Sequence, residues 1–220
     1  HPQKNLVDQW HARMEGVPGV KVGIVWAGDP KQANDIRRSA SLEEFAALRA
    51  VPGVSWFSLH KGSGEPELNT PHYGFELTDL APELHSFADT AAAIVNLDLV
   101  ITVDTSVAHL AGALSKPVWV VLPNIRQDWR WLFGRQDNPW YPTMRVFEQE
   151  GDGDWQQLFA DRVIPALLAY LQEQVLAGVH KRIWRWLEHG ARIDADFEAI
   201  DWCPALLPVV QLVTRRSHDV

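Results

Sequence analysis

The chain of 220 residues contains a single cysteine, Cys203, and this scarcity limits its redox and metal chemistry. One thiol cannot form a disulfide within the chain, so we expect a protein of a reducing compartment, the cytoplasm. Cysteine and histidine do not recur at the spacings of zinc sites, so no metal is expected. The sequence therefore argues against a disulfide-stabilised secreted module and against a zinc domain.

Basic residues are also scarce, since 20 Lys and Arg face 28 Asp and Glu and give a net charge of −8. Because nucleic-acid binding requires a surface that neutralises phosphates, we expect no nucleic-acid partner. The sequence has neither a signal peptide nor an apolar run of about 18 residues, so we expect no membrane span. An anionic ligand would then need a local pocket of positive charge.

What the chain does have is an alternation of apolar, β-branched segments with helical patterns. This alternation predicts an α/β fold, a Rossmann-like parallel sheet with helices on both faces, followed by a helical carboxyl-terminal appendage. Ser41, with Glu44 three residues later, predicts a capping box at a helix start. The predicted helices are 6–16, 42–50, 87–97, one from Thr105 or Ser106, and one or two over 155–189. The predicted strands begin near 20, 54, 98 and 117. Residues 62–74 are predicted as a loop and 123–145 as an irregular segment rich in Trp, Arg and Pro.

Four polar residues lie between two of the predicted core strands, in the stretch VDTSVAHLAGALSKPVW at 103–119. A parallel strand that ends at Asp104 and turns into a helix leaves free backbone N–H groups at the sheet edge where open α/β sheets bind ligands. Thr105 and Ser106 can cap that helix or donate to a phosphate, and His109 shares their face. Asp104 is expected to hold the turn. The alternative is an ordinary strand–cap–helix junction with a structural histidine.

A second anion contact is predicted after the first strand. Gly28 ends that strand and allows close approach of a ligand to the backbone, and Arg37 and Arg38 follow before the Ser41 cap. An arginine there can make a bidentate phosphate contact. The alternative is a solvated basic patch ahead of a helix.

The stretch SLHKG at 58–62 ends the second strand, so Ser58, His60 and Lys61 are candidates for contacts to a base or ribose. The alternative is a plain loop with Lys61 in water. The tryptophans of the irregular segment could stack on a base or sugar, although most such clusters form a satellite core under a long loop.

Six blocks of the chain, between residues 6 and 170, are similar in order to one protein family. They are VGIVWAGDP, NDIRRS, SLHKG, DLVITVDTSVAHLAGALSKPVWVVLP, DWRWLFGRQDNPWYPTMRVF and GDW. With these blocks the chain resembles the carboxyl-terminal half of bacterial glycosyltransferases, specifically the heptosyltransferase-like proteins often fused to tetratricopeptide repeats. The resemblance implies the two-domain B-type fold, in which this half holds the nucleotide sugar.

Residue by residue, the resemblance places Thr105, Ser106 and His109 on the family's diphosphate-binding block. It places Arg38 about where heptosyltransferases have a phosphate-binding lysine. Gly28, Ser58, His60, Lys61 and Asp104 remain the candidates for the rest of the nucleotide site, and no catalytic residue is assigned. These five residues are candidates for nucleotide binding and not for catalysis.

The expected function is therefore the donor-binding half of a glycosyltransferase that uses a nucleoside-diphosphate sugar without metal or cofactor. An amino-terminal domain or a partner chain would supply the acceptor site and general base, so we expect no transfer by this chain alone. We expect a linker helix at 1–19, the nucleotide-sugar domain at 20–175 and a helical tail at 176–220. Gln32 and Ile36 stand where relatives usually have His and Arg. This departure favours an alternative, a non-catalytic nucleotide-binding or protein-interaction module.

Overall fold

The computed structural model describes residues 2–32, 35–62, 67–68, 74–124, 129–132, 134–150 and 154–188, without the side chains of 36, 37 and 179–188. Within these residues the chain forms a parallel sheet of six strands in the order β3-β2-β1-β4-β5-β6. The strands are β1 Val20–Val25, β2 Val54–Ser58, β3 Leu77–Asp79, β4 Leu99–Thr102, β5 Val118–Leu122 and β6 Met144–Glu148. The Rossmann-like α/β fold predicted from the sequence is confirmed.

Helices connect the strands. The α-helices are α1 Lys4–Met14, α2 Asp35–Arg38, α3 Leu42–Phe45, α4 Phe87–Val95, α5 Ser106–Ala113, α6 Trp155–Leu158 and α7 Ile164–Glu188. Short 3-10 turns occupy Ala46–Ala50, Ala81–Glu83 and Trp129–Trp131, and a π-helical turn, Phe159–Val163, joins α6 to α7. The appendage after the last strand is thus helical as far as the structure describes it.

The strand order reverses between β1 and β4. The chain builds outwards from β1 through β2 to β3, then returns to the other side of β1 and builds outwards again from β4 to β6. Because parallel crossovers are right-handed, building outwards in opposite directions places the connecting helices on opposite faces of the sheet. The connections that leave the carboxyl ends of the paired strands β1 and β4 diverge at this reversal, which is where open α/β sheets form a crevice.

The core follows from strands that are apolar along their whole length. Every residue of β4 and β5 is buried, as expected for central strands covered on both faces. The helix α1 packs on this core through Trp10 and Met14, and the Asn96 side chain at the end of α4 donates to the backbone oxygen of Val7 at 3.1 Å. The helix before the first strand therefore packs against the sheet domain.

Several local predictions can be compared with the structure. The capping box is confirmed, since the Ser41 Oγ accepts from the Glu44 N–H at 3.3 Å and the Glu44 carboxylate accepts from the Ser41 N–H at 2.6 Å. The helix predicted over 42–50 is α-helical only to Phe45 and then tightens into a 3-10 turn. The irregular segment was predicted to extend to 145, which is wrong, because β6 begins at Met144 and pairs along β5.

The chain divides into two compact units, residues 1–168 and 169–220. The first unit contains the whole sheet, and the described part of the second is the continuation of α7. The division predicted from the sequence, with boundaries at 19 and 175, stays a prediction, and Cys203 lies outside the described residues. Among the described helices, none combines the length and apolarity that crossing a membrane requires.

Candidate functional site

A cavity of about 740 Å³ opens at the carboxyl edge of the sheet, where the strand order reverses. We call it the switch-point hollow. Its lining comes from Val25, 27–30, Gln32 and Arg38 after β1, from Leu59, Lys61 and Gly62 after β2, from 84–87 and Thr90 at α4, and from 105–107 at α5. Two helix N-termini, those of α4 and α5, therefore lie at the same cavity.

The N-terminus of α5 lacks a side-chain cap. Thr105 is the N-cap residue, but its side chain makes no capping hydrogen bond. The Thr105 and Thr102 hydroxyl oxygens are 2.9 Å apart, and the Thr102 hydroxyl already donates to the Val103 oxygen at 2.9 Å. Thr105 must therefore donate its proton to Thr102. The first-turn N–H groups of α5, at Ser106 and Val107, lie in the hollow's lining with no hydrogen bond from the cap side chain, at the positive end of the helix dipole.

The N-terminus of α4 is closed by its own side chains. The Ser86 Oγ accepts from the Asp89 N–H at 3.3 Å and donates to the Asp89 carboxylate at 2.8 Å. The same carboxylate accepts from the His85 N–H at 3.2 Å. A negative charge thus already occupies the first turn of α4, where it complements the helix dipole.

Arg38 forms part of the wall that follows β1. Its Nε donates to the Asp35 carboxylate at 3.1 Å, and both side chains are largely buried. The guanidinium lies against Gly28, because a Cβ added at Gly28 would be only 2.5 Å from Arg38 Nη2 and from the nearer Asp35 carboxylate oxygen. A side chain at this position would displace the Arg38–Asp35 pair, so glycine serves close packing here rather than an unusual backbone angle.

The candidates after β2 have different positions. Lys61 lines the hollow, and its Nζ donates to the Leu84 backbone oxygen. His60 is fully buried and stacks on Trp26, with ring centroids 4.1 Å apart. Ser58 is also buried, and its Oγ accepts from the His60 N–H at 3.2 Å. Ser58 and His60 therefore support the wall from behind, and only Lys61 of the three lies in the cavity lining.

His109 and Asp104 lie beside the lining rather than in it. His109 is half-buried one turn into α5 and stacks on Trp131, with centroids 5.1 Å apart, and Tyr141 lies 5.7 Å away. Asp104 is half-buried in the turn between β4 and α5. The structure thus brings Thr105, Ser106, Arg38, Gly28 and Lys61 together around one cavity, and places His109 with an aromatic cluster next to it.

Sequence reasoning missed the segment 84–87, which also lines the hollow. Phe87 is the notable member, since 66% of it is exposed. A signal was available, because Ser86 precedes an apolar helix and has Asp89 three residues later, a capping pattern that places the start of α4 at the same sheet edge. Asp29 and Gln32 were also not assigned to the site, although both line it.

The lining of the hollow carries charges of both signs. Arg38 and Lys61 contribute cations to the lining and Asp29 one carboxylate. Across the described ranges, no three His, Cys, Asp or Glu side chains come together in a group that could hold a metal ion. The arrangement can therefore bind an anion through N–H groups, hydroxyls and a guanidinium.

A second cavity, of about 510 Å³, opens near the ends of β5 and β6 and serves as a contrast. Its cations are Arg135 and Arg162. Arg135 forms an ion pair with Asp137, and the hydrogen bond from Arg135 holds the pKa of the Asp137 carboxyl below its ordinary value. Arg162 donates to the Glu148 backbone oxygen at 2.8 Å. No helix N-terminus among the described elements lines this cavity.

Part of the sequence that forms the switch-point hollow matches a family model. Residues 56–121 match the family model of glycosyltransferase family 9 (heptosyltransferase). The match runs from β2 to β5 and includes Lys61, Thr105, Ser106 and His109. Protein FlbA of Caulobacter vibrioides is 30% identical in an alignment of 174 positions that covers 76% of this chain and 28% of FlbA.

Two solved structures share the fold. The E. coli ADP-heptose lps heptosyltransferase II has a TM-score of 0.57 at 16% identity, over 79% of this chain and 53% of that one. The glycosyl transferase family 9 protein of Veillonella parvula DSM 2008 has a TM-score of 0.56 at 14% identity, over the same two shares. The chain thus spans about half of each of these two solved structures and less than a third of FlbA.

Proposed function

We propose that this chain is the nucleotide-sugar-binding half of a glycosyltransferase and that the switch-point hollow holds a nucleoside-diphosphate sugar. The observation that carries the proposal is the uncapped N-terminus of α5 facing Arg38 across a cavity at the strand reversal. A helix N-terminus offers N–H groups and a positive dipole to an anion, and an arginine adds a bidentate contact. The family 9 match over 56–121 supports a sugar nucleotide as that anion.

In this proposal the diphosphate lies at the first turn of α5. Ser106 and the N–H groups of 106 and 107 bind one phosphate, and Arg38 binds the other. Thr105 holds the turn through its bond to Thr102. His109 lies beside the lining and follows Ser106 by three residues, so in this proposal its imidazole is a further donor to the same anion. These groups are fixed before the ligand arrives, and such preorganised donors stabilise a departing diphosphate by several kcal/mol.

The nucleoside lies on the other side of the hollow in this proposal. Gly28 lets it approach the end of β1, and Lys61 and the segment 84–87 contact it across the cavity. Asp104, Ser58 and His60 act indirectly, by holding the turn and the wall. This arrangement needs no metal or cofactor, since the charge of the diphosphate is met by protein groups.

The activity of the whole protein is part of the proposal. We propose that an amino-terminal domain or a partner chain supplies the acceptor and the general base, because a base must lie within hydrogen-bond reach of the proton it removes. The resemblance to heptosyltransferase-like proteins fused to tetratricopeptide repeats supports a similar association here. The single cysteine supports a cytoplasmic location.

Calorimetric titration tests the donor site directly. We would titrate the chain with the mono- and diphosphates of adenosine, guanosine, uridine and cytidine, and with the free nucleosides. One nucleoside diphosphate should bind, and its nucleoside should bind at least about tenfold more weakly, since charge-assisted hydrogen bonds contribute about 1.5–3 kcal/mol. A chain that binds none of them, or binds nucleoside and diphosphate equally, contradicts the proposal.

A pair of neighbouring substitutions tests which arginine binds. Arg38→Lys retains the charge but loses the bidentate geometry, so the affinity for the diphosphate should fall by about tenfold. Arg37→Lys is the matched control and should change the affinity less. If the two variants titrate alike, the choice of Arg38 is wrong.

One observation favours a second function, a nucleotide-binding module without turnover. Gln32 lines the hollow, and the family resemblance places it where related sequences usually have a histidine. A measurement of sugar-nucleotide consumption, with the complete protein and a panel of acceptors, separates the two. Acceptor-dependent release of nucleoside diphosphate at about 1 per second or faster, an ordinary enzyme rate, identifies the transferase, and binding without release identifies the module.

A further inference from the structure

Arg38 is held in place by a carboxylate that does not itself line the switch-point hollow. Asp35 is only 7% exposed, and its carboxylate oxygen accepts from Arg38 Nε at 3.1 Å. Both residues belong to α2, three positions apart, so the bond spans one turn of this short helix. Burying a carboxylate is costly unless it is paired, and this pairing is what the structure provides.

A serine connects this ion pair to the strand below it. The Ser39 hydroxyl donates to the same Asp35 oxygen at 3.0 Å, and Ser39 Oγ accepts from the Gly28 N–H at 2.9 Å. A hydroxyl has one proton, so its bond to the carboxylate leaves only acceptor capacity for Gly28. A chain of hydrogen bonds thus runs from the backbone just after β1, through Ser39 and Asp35, to the guanidinium.

The contact through Nε leaves the edge formed by the two Nη nitrogens of Arg38 outside the ion pair with Asp35. Arg38 lines the hollow, and its Nη2 packs where a side chain at Gly28 would otherwise lie. A planar guanidinium fixed on one edge can present the other edge for two parallel bonds to an anion.

We propose that Asp35 and Ser39 are positioning residues, which fix Arg38 so that its outer edge makes a bidentate contact to the diphosphate. This inference rests on the proposed function. The inference also predicts a direction for the change in anion affinity that is opposite to the one expected from net charge alone. Removing the Asp35 charge would strengthen the binding of an anion if only the net charge mattered, whereas loss of the fixed geometry weakens it.

A double-mutant cycle tests the inference. The dissociation constants of the best-binding nucleoside diphosphate and of its nucleoside are measured for the wild-type chain, Asp35→Ala, Arg38→Ala and the double variant. We expect Asp35→Ala to weaken diphosphate binding about tenfold in the wild-type background, to have no further effect in the Arg38→Ala background, and to leave nucleoside binding unchanged.

Two further variants keep the test informative if Asp35→Ala does not fold. Asp35→Asn keeps the shape and an acceptor oxygen, so it should retain more of the affinity than Asp35→Ala. Ser39→Ala removes one link without changing any charge, and about a threefold loss is expected for the diphosphate alone. Circular dichroism checks the fold of each variant.

The outcomes separate this inference from the proposed function. Tighter or equal diphosphate binding by Asp35→Ala or Asp35→Asn, an equal loss in the Arg38→Ala background, or an equal loss for the nucleoside overturns the positioning role. If the wild-type chain binds no nucleotide, or Arg38→Ala binds as the wild type does, the proposed diphosphate site itself is wrong. Arg135→Ala, in the other cavity, is the control and should titrate as the wild type.

Discussion

The N-termini of α4 and α5 face the same hollow but are completed differently. At α4, Ser86 and Asp89 satisfy the first turn with a hydroxyl and a carboxylate. At α5 the N-cap hydroxyl turns away to Thr102, and the first turn has no acidic residue. Helix ends in proteins are usually completed by side chains, so an end left open at a cavity is available to an anionic ligand. The comparison supports the proposal that the anion binds at α5, whereas α4 contributes to the shape of the hollow.

The largest expected effect comes from making α5 resemble α4. Thr105→Asp would place a carboxylate at the N-cap, where it can accept from the first-turn N–H groups and complement the dipole. We expect the free energy of unfolding to rise by about 0.5 kcal/mol, because Asp is a better cap than Thr. We expect diphosphate affinity to fall by more than about a hundredfold, since like charges then meet in the hollow.

Thermal unfolding and calorimetric titration of the same preparation measure both effects. Thr105→Asn is the control, because it caps without a charge and so should lose less affinity. If Thr105→Asp binds the diphosphate as well as the wild type does, the open end of α5 is not the anion site.

A smaller loss is expected from His109→Phe. Phenylalanine keeps the stacking with Trp131 but removes the imidazole N–H donors, so the fold should persist. If His109 reaches the diphosphate from the second turn of α5, affinity should fall by about tenfold, which corresponds to about 1.4 kcal/mol for one charge-assisted bond. Unchanged affinity in the folded variant would assign His109 to the aromatic cluster alone.

A substitution at the N-terminus of α4 should lower the stability of the fold rather than the affinity for the ligand. Asp89→Ala removes the acceptor for the Ser86 hydroxyl and the His85 N–H, together with the charge that complements the α4 dipole. Chemical denaturation should show a loss of about 1 kcal/mol in the free energy of unfolding. Diphosphate affinity should change less than about threefold, and a larger decrease would mean that α4 is not only structural.

The smallest effect concerns a charge at the opposite end of the sheet. Burial lowers the pKa of Lys116 below its ordinary value, although Asp98 acts in the other direction, and the Lys116 Nζ donates to the Val95 oxygen at 3.1 Å. Because the unfolded chain then binds the proton more tightly, the contribution of Lys116 to stability should increase as the pH rises from its folded pKa to the ordinary lysine pKa of about 10.4.

Comparison with Lys116→Met isolates this contribution. The wild type should gain stability relative to the variant between neutral pH and about pH 10, and nucleotide affinity should be the same in both. If the difference in stability between wild type and Lys116→Met stays constant or falls as the pH rises, the lowered pKa of Lys116 is contradicted. A change in affinity would show that charges outside the hollow also act on the ligand.

The fold and much of the cavity lining could be predicted from the sequence because both follow from strand ends. The carboxyl ends of parallel strands meet at one edge, and that rule brought Gly28, Lys61 and Thr105 to one cavity although 77 positions separate the first from the last. The same rule could not tell which way a side chain points. His60 was a candidate for the ligand, yet it turns behind the wall and stacks on Trp26.

Other features could not be predicted because they depend on which segments pair in the folded chain. The strand β3 has three residues and is defined by its register with β2, and β6 is an edge strand whose pattern follows a segment dense in Trp and Pro. The ion pair of Asp35 with Arg38 was also not predicted, because a carboxylate three residues from an arginine is common on solvated helices. Burial distinguishes this pair, and burial is a property of the fold.

The reversal of strand order also determines when the hollow can exist during folding. The Lys21 N–H donates to the Asp98 carboxylate, and 77 positions separate the two residues. The pairing of β1 with β4 can therefore form only after β2, β3 and their connections have been synthesised. Contacts this distant form slowly. A ligand in the hollow would therefore contact residues that come together late in folding. Its binding would slow unfolding, because it holds the two halves of the sheet together, and would not change the rate of the first collapse of the chain.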